Sequence, residues 1–267
     1  MNTGWRFLNT GFGSGAHNME FDEKLAQELL SGAGAPTLRL FQWKPWAISL
    51  GHNQRVEDIN VEKCQEDGID VVRRPTGGRA ILHAEELTYS VVMHAEGKGV
   101  LQIYNEISNA LVAGLRLFGV EVSLQRSQPN LSEQYRRVSG IACFSSSARY
   151  EIEYDGRKLV GSAQRRFGDG AGDVVLQHGS ILCGAAHKNL VNYLRLDDRL
   201  AVGLSRELSE GTIDLSDICG RGIDVEALSL CIKDGFETEW GFKFEKLEQT
   251  DEFHAVSYPS TNQEVTS

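Results

Sequence analysis

The chain has 267 residues, 41% hydrophobic and 24% charged, an ordinary globular composition with ample material for a core. Its formal net charge of -10 opposes non-specific nucleic-acid binding, which depends on neutralising phosphates with Lys and Arg. No apolar run approaches the roughly 18 residues of a membrane span, and "MNTGWRFLNTG" lacks the regions of a signal peptide, so a cytoplasmic location is expected.

"WRFLNT" reads as a first strand. "NMEFDEKLAQELLSG" then spaces Met19, Asp22, Leu25, Ala26, Leu29 and Leu30 near helical periodicity, with Gly32 as a stop. "TLRLFQW" and "AISLGHN" are strands separated by Lys44-Pro45, the second ended by Gly51. A short helix over "DINVEKCQEDG" takes Asp58 as N-cap and Gly68 as C-cap. "IDVVRRP" is the next strand, and "AILH" leads on to "LTYSVVMH". "YNEISNALVAGLRLFG" is the clearest helix, with Ile107, Leu111, Leu115 and Leu117 toward the core.

A polar loop over "SQPNLSEQYRR" follows. "SGIACFSSSARYEIEYDGRKLVGSAQRR" forms strands closed by a hairpin turn at Asp155-Gly156, and "DVVLQHGSILCG" supplies another strand. Residues 1–250 read as a single domain, helical from about 186, with 251–267 as a mobile tail. Strands and helices come in runs without strict alternation, which implies an α+β fold with mixed or antiparallel sheets flanked by helices.

Five cysteines, Cys64, Cys143, Cys183, Cys219 and Cys231, show no paired spacing, as for free thiols in a reducing compartment. No Cys/His cluster has ligand spacing, so no metal is expected, and nothing calls for a cofactor. Three stretches carry chemistry. In "RRPTGGRAILH", Gly77 and Gly78 allow close backbone approach, while Arg74 and Arg79 are placed to bracket an anion or carbonyl; a tight turn with solvated arginines fits the same spacing. The turn is not a phosphate-binding GxxxxGK[ST] loop. His83 emerges beside this turn, whereas His52 is ambiguous.

Cys143 and Lys158 flank the hairpin. An ammonium near a thiol favours the nucleophilic thiolate and can shuttle protons to a leaving thiol, although composition alone favours a core-filling Cys and an edge Lys. In the third stretch, Gly161, Ser162 and Ala163 together with Gly179 and Ser180 are small enough for an acyl chain to lie against the sheet; the nearby His178 reads as structural.

Together "RRPTGGRAILHAEELTYS", "ACFSSSARYEIEYDGRKLVGSAQRR" and "VVLQHGSIL" resemble the lipoate/octanoate branch of the biotin/lipoate protein ligase family, over approximately Trp5 to Leu194. The match is most similar to the cysteine-dependent octanoyltransferases, which move octanoate from octanoyl-acyl carrier protein to a lysine of a lipoyl-accepting protein. The resemblance implies the ligase catalytic-domain fold, Cys143 as acyl-thioester carrier and Lys158 as the group that lowers its pKa. It also implies an acyl pocket from Arg74, Gly77, Gly78 and His83, faced by Ser162 and Ala163, and a lipoyl domain or glycine-cleavage carrier protein as acceptor. An ATP-dependent lipoate–protein ligase shares the fold, the loop and the lysine but makes an acyl-adenylate, needs no nucleophilic cysteine and commonly has three consecutive loop glycines; here Arg79 takes the third position and a cysteine stands at 143. An amidotransferase between lipoyl domains differs in donor. For docking acidic carriers, a basic face of Arg136, Arg137, Arg165 and Arg166 is expected.

Overall fold

A computed structural model describes residues 4–125, 151–168, 170 and 172–245. Its backbone is a seven-stranded sheet whose strands, in spatial order, are β1 (Arg6–Gly13), β2 (Thr37–Trp43), β6 (Glu86–His94), β10 (Val174–Leu182), β9 (Arg157–Phe167), β8 (Glu151–Tyr154) and β7 (Ser123–Gln125). Only β1 and β2 are parallel; the remaining pairs are antiparallel. A smaller sheet orders β4 (Asp70–Arg73), β3 (Ala47–Leu50) and β5 (Ile81–His83). This is the mixed α+β architecture expected. "AILH" and "LTYSVVMH" adjoin in sequence, yet they divide between the two sheets.

Alternation gives the large sheet two faces. On one, Leu38, Leu40, Tyr89 and Val91 join a core with α3 (Val100–Leu117) and α6 (Val225–Trp240). Ile107, Leu111 and Leu115 of α3 enter that core without residual exposure. Leu117 does not: it is 55% exposed, because two residues beyond Leu115 is a 200° turn around the helix. The other face packs α1 (Gly15–Leu30), whose Leu25, Ala26 and Leu29 meet Val92, Val174 and Leu176.

The N-cap of α2 (Val61–Glu66) is Asn60, whose side chain accepts from the Lys63 amide. Asp58 instead closes a 3-10 turn, Val56–Asp58, so the expected cap lies two residues too early. Beyond β10 the chain continues as a 3-10 segment (Ala185–Tyr193), α4 (Asp198–Gly211), α5 (Leu215–Cys219) and α6. The expected tail 251–267 lies outside the described residues. Among those described, no helix is long and apolar enough to cross a membrane.

Candidate active site

A cavity opens between the α1 face of the large sheet and the small sheet. Two antiparallel rows make its floor. Thr88 of β6, Ser180 of β10 and Gly161 of β9 lie side by side; one row along, Ser90, His178 and Ala163 do the same. The short side chains of Thr88, Ser180 and Ala163 and the bare Gly161 leave room above the sheet, with His178 standing among them. Gly179, between them, turns to the other face. A Cβ there would come within 2.2 Å of the Gly161 carbonyl and 2.8 Å of the Tyr89 ring, so the small residue admits a fully buried tyrosine beneath the floor. Tyr89 donates its hydroxyl to Ser162 Oγ at 2.6 Å, pinning the floor from below. Met19, Trp43 and Ile81 supply apolar walls.

The "RRPTGG" turn closes one side, though differently from its sequence reading. Arg74 is buried and donates to the carbonyls of Ser49, Gly77 and Arg79 and to Ser49 Oγ. Those contacts engage all five of its N–H groups, so Arg74 staples the loop while presenting its charge to the cavity. Arg73, on the opposite side, holds the carbonyls of Gly51, His52 and Gln54. The close approach that the glycines allow is to the chain's own backbone: a Cβ on Gly51 would sit 1.9 Å from the Gly78 carbonyl oxygen. Gly77 and Gly78 are exposed, and neither they nor the Arg79 side chain line the cavity.

Two buried polar networks reach the cavity. His83 lines it, with Nε2 2.7 Å from Ser49 Oγ and Nδ1 2.8 Å from Glu86 Oε1. Trp43 stacks on the imidazole at 4.0 Å with planes 13° apart, fixing the ring. Glu86 Oε1 also accepts from Thr88 at 2.6 Å and Ser180 at 2.8 Å. Burial pushes the Glu86 carboxyl up, but His83 and these hydroxyls outweigh it and hold it below the usual range. Arg74 and Trp43 are donor-only groups at the two ends: Arg74 donates to Ser49 Oγ, and Trp43 Nε1 to Thr88 Oγ1. Ser49 Oγ and His83 Nε2 share one hydrogen bond between these ends, and His83 Nδ1 and Glu86 Oε1 another.

In the second network, Arg39 Nη1 pairs with Asp22 Oδ1 at 2.8 Å, both side chains fully buried. Asp22 Oδ2 lies 3.1 Å from His178 Nδ1, and His178 Nε2 lies 2.7 Å from Thr76 Oγ1 on the loop. His178 thus lines the cavity while tying α1, β10 and the loop together. Ser49, Glu86 and Asp22 were missed as site residues. A serine in a strand and an acid on an amphipathic stripe give no signal without tertiary pairing.

Lys158 does not line the cavity, but a bulge aims it toward that side. Ile152 pairs with Val160 and Glu153 with Lys158, so one step on β8 spans two on β9. Simple alternation from Gly161 would send Lys158 to the far face; the extra residue returns it to the face of Glu151 and Glu153. There its buried ammonium forms an ion pair with Glu151. Cys143, Arg136 and Arg137 lie outside the described residues. Arg165 and Arg166 do not share a face. Arg165 donates to the Pro75 carbonyl, and Arg166 to the Lys98 carbonyl beside Asp173. His52 does not line the cavity.

The family model described as the lipoyl protein ligase A/B catalytic domain matches residues 14–237. A Kyrpidia tusciae protein named Octanoyltransferase LipM is 39% identical over 254 residues, covering 93% of this chain and 91% of that one. A protein of the same name from Moorella thermoacetica is 36% identical, covering 90% and 88%. A solved lipoate-protein ligase A bound with ATP superposes with a TM-score of 0.69 at 18% identity, covering 91% of this chain and 88% of that one, which shows a shared fold. The chain belongs to the lipoyl protein ligase A/B catalytic-domain family.

Proposed function

We propose that this protein is an octanoyltransferase of lipoate biosynthesis that takes octanoate from octanoyl-acyl carrier protein and passes it, through a thioester on Cys143, to the acceptor lysine of a lipoyl domain. The observation that carries the reading is the near full-length match to Octanoyltransferase LipM proteins. Catalysis begins with the Cys143 thiolate attacking the donor carbonyl; the new S–C bond forms as the carrier's S–C bond breaks, and the carrier leaves as its thiolate. Lys158 supplies the cationic field that favours the thiolate. Its pairing with the buried Glu151 keeps the ammonium in place on the cavity's face of the sheet. In the second half, the acceptor amine attacks the acyl-enzyme and restores the cysteine.

The cavity suits this cargo. Its walls, Met19, Trp43 and Ile81, are apolar, as a hydrocarbon chain requires. Burying about seven carbons of an octanoyl tail, at about 0.8 kcal/mol each, offers on the order of 5 kcal/mol before ordering costs. Dispersed free cysteines support a cytoplasmic setting.

Intact mass measured after incubation with octanoyl-carrier protein, without ATP, tests the proposal. An octanoyl adduct on Cys143, abolished in Cys143→Ser, is the expected result. No adduct, with efficient use of free lipoate plus ATP, would establish a ligase instead. Lys158→Ala should slow acylation, with partial recovery at higher pH as the thiol ionises unaided.

A further inference from the structure

The three apolar side chains that wall the cavity differ in what holds them. Trp43 is tied twice: Nε1 donates to Thr88 Oγ1 at 2.7 Å, and the ring stacks on His83. Ile81 stands on β5, paired with Ser49 of β3, and its branched Cβ leaves little χ1 freedom. Met19 is unbranched, with three rotatable bonds and a polarizable thioether, and it packs in a cluster with Phe41, Trp43 and Ala47. Resting on the octanoyl-transfer reading, we propose that Met19 sets the length of acyl chain that the cavity accepts.

The base of this side chain is fixed, while its tip turns about three bonds. Asn18, one residue earlier on α1, is fully buried; its amide donates to the Gly13 and Gln42 carbonyls, and Arg39 donates to its carbonyl and Oδ1. Backing α1 away from the sheet would break those bonds. The polar members of the lining are engaged too: Arg74 by loop carbonyls, Ser180 by Glu86, and His178 with Asp22 and Thr76. Moving one of them leaves a buried polar group without its partner, whereas a rotamer change at Met19 costs no hydrogen bond. Methylenes lie against apolar walls, so each added one presses on the wall that yields most easily, whichever way the chain runs. Met19 is 6% exposed, with the cavity on one side and its packed cluster on the other, so its travel is short. A gauge with small travel admits octanoyl and resists chains two methylenes longer.

Carrier protein charged with hexanoyl, octanoyl, decanoyl or dodecanoyl chains tests the gauge. Acyl-enzyme is followed by intact mass in a single turnover, and the decanoyl-to-octanoyl rate ratio is the readout. A loss of folded enzyme lowers both rates and cancels in that ratio. Met19→Ala removes the side chain beyond Cβ and should raise the ratio by about tenfold or more, as room for about two buried methylenes is gained. Met19→Leu, close in volume, should keep the ratio within about twofold of wild type. If Met19→Ala does not fold, Met19→Val decides, with an expected rise of about fourfold for about one methylene. An unchanged ratio in the truncated variant, or a larger rise in Ile81→Ala than in Met19→Ala, would overturn the assignment. A wild-type enzyme that forms no octanoyl adduct would sink octanoyl transfer itself; the gauge alone fails when wild type is acylated and the truncated variant keeps its ratio.

Discussion

The two buried networks beside the cavity use the same parts in a different order. Each has an arginine, an acid, a histidine and a hydroxyl. In one, Arg39 touches Asp22 directly, and His178 and Thr76 follow as a tail. In the other, Arg74 and Glu86 stand at opposite ends, with Ser49 and His83 between them. Direct contact neutralises two charges and fixes geometry. Separation leaves a field along a hydrogen-bonded chain. The order of four side chains thus distinguishes a neutralised brace from a polarised chain.

Removing one half of the brace is the most damaging change. Asp22 and Arg39 are fully buried, so Asp22→Ala or Arg39→Ala leaves an uncompensated charge and should cost about 3–5 kcal/mol. Urea denaturation measures this directly. The double variant Asp22→Leu/Arg39→Met should recover much of the loss, since well-packed apolar residues often replace such a pair. Single losses below about 1 kcal/mol would show that the pair is hydrated and not a brace.

The loop at 74–80 belongs to both networks, through Thr76 to the brace and Arg74 to the Ser49–His83–Glu86 chain. Gly51→Ala strikes this joint, because its new methyl would meet the Gly78 carbonyl at 1.9 Å, and backbone must shift. A cost of about 1–3 kcal/mol is expected, as for other overpacked sites. Octanoylation should fall together with stability. A Gly51→Ala enzyme with unchanged denaturation and turnover would mean that the loop adapts without disturbing either network.

Acid should weaken the brace before the Glu86 carboxylate titrates. His178 is lowered from 6.5 mainly by burial, with Asp22 pulling the other way. His187, buried beside Thr212, is lowered to about 4, also mainly by burial. A histidine whose folded pKa is depressed contributes nothing unfavourable above 6.5, where both states are neutral. Below 6.5 the unfolded chain binds protons that the folded chain refuses, and stability falls until the folded pKa is reached. For His187 that window runs from 6.5 to about 4 and amounts to at most about 3 kcal/mol at its lower end. Glu86 and Asp22, both lowered, lose their contributions only in the more acidic carboxylate range. Urea midpoints at pH 7.5, 6 and 5 should decline, and His187→Gln should flatten the slope. A flat profile in wild type would show that both histidines can protonate in place.

What the sequence made legible follows from locality. Strands rich in β-branched residues, the Asp155-Gly156 turn and the small residues at 161–163 and 179–180 are local signals, and each falls where expected. His83 was readable from its place beside the loop. The brace was not: Asp22 sits at helical spacing among Leu25, Ala26 and Leu29, and nothing local shows that Arg39 lies opposite. Nor could alternation place Lys158, because the bulge at Leu159 depends on its pairing with β8. Arg165 and Arg166 fail as one basic face for the opposite reason, since neighbours on an uninterrupted strand must point apart.

The smallest expected effect is also the control for the largest. Arg206 Nε lies 2.8 Å from Glu210 Oε1, the same separation as Arg39 from Asp22. Their side chains are 75% and 65% exposed, where those of the buried pair have no exposure. Water at both partners screens the attraction, and ordering two long side chains opposes it. The pair spans one turn of α4 with the base N-terminal to the acid, the weaker orientation for an i,i+4 contact. Arg206→Ala should therefore change stability by roughly 0.5 kcal/mol or less, and the change should vanish in high salt. Contact distance is held constant between the two pairs, so the contrast in urea denaturation isolates burial. If Arg206→Ala cost as much as Arg39→Ala, the worth of an ion pair here would follow distance alone, and the distinction between a buried brace and a surface pair would collapse.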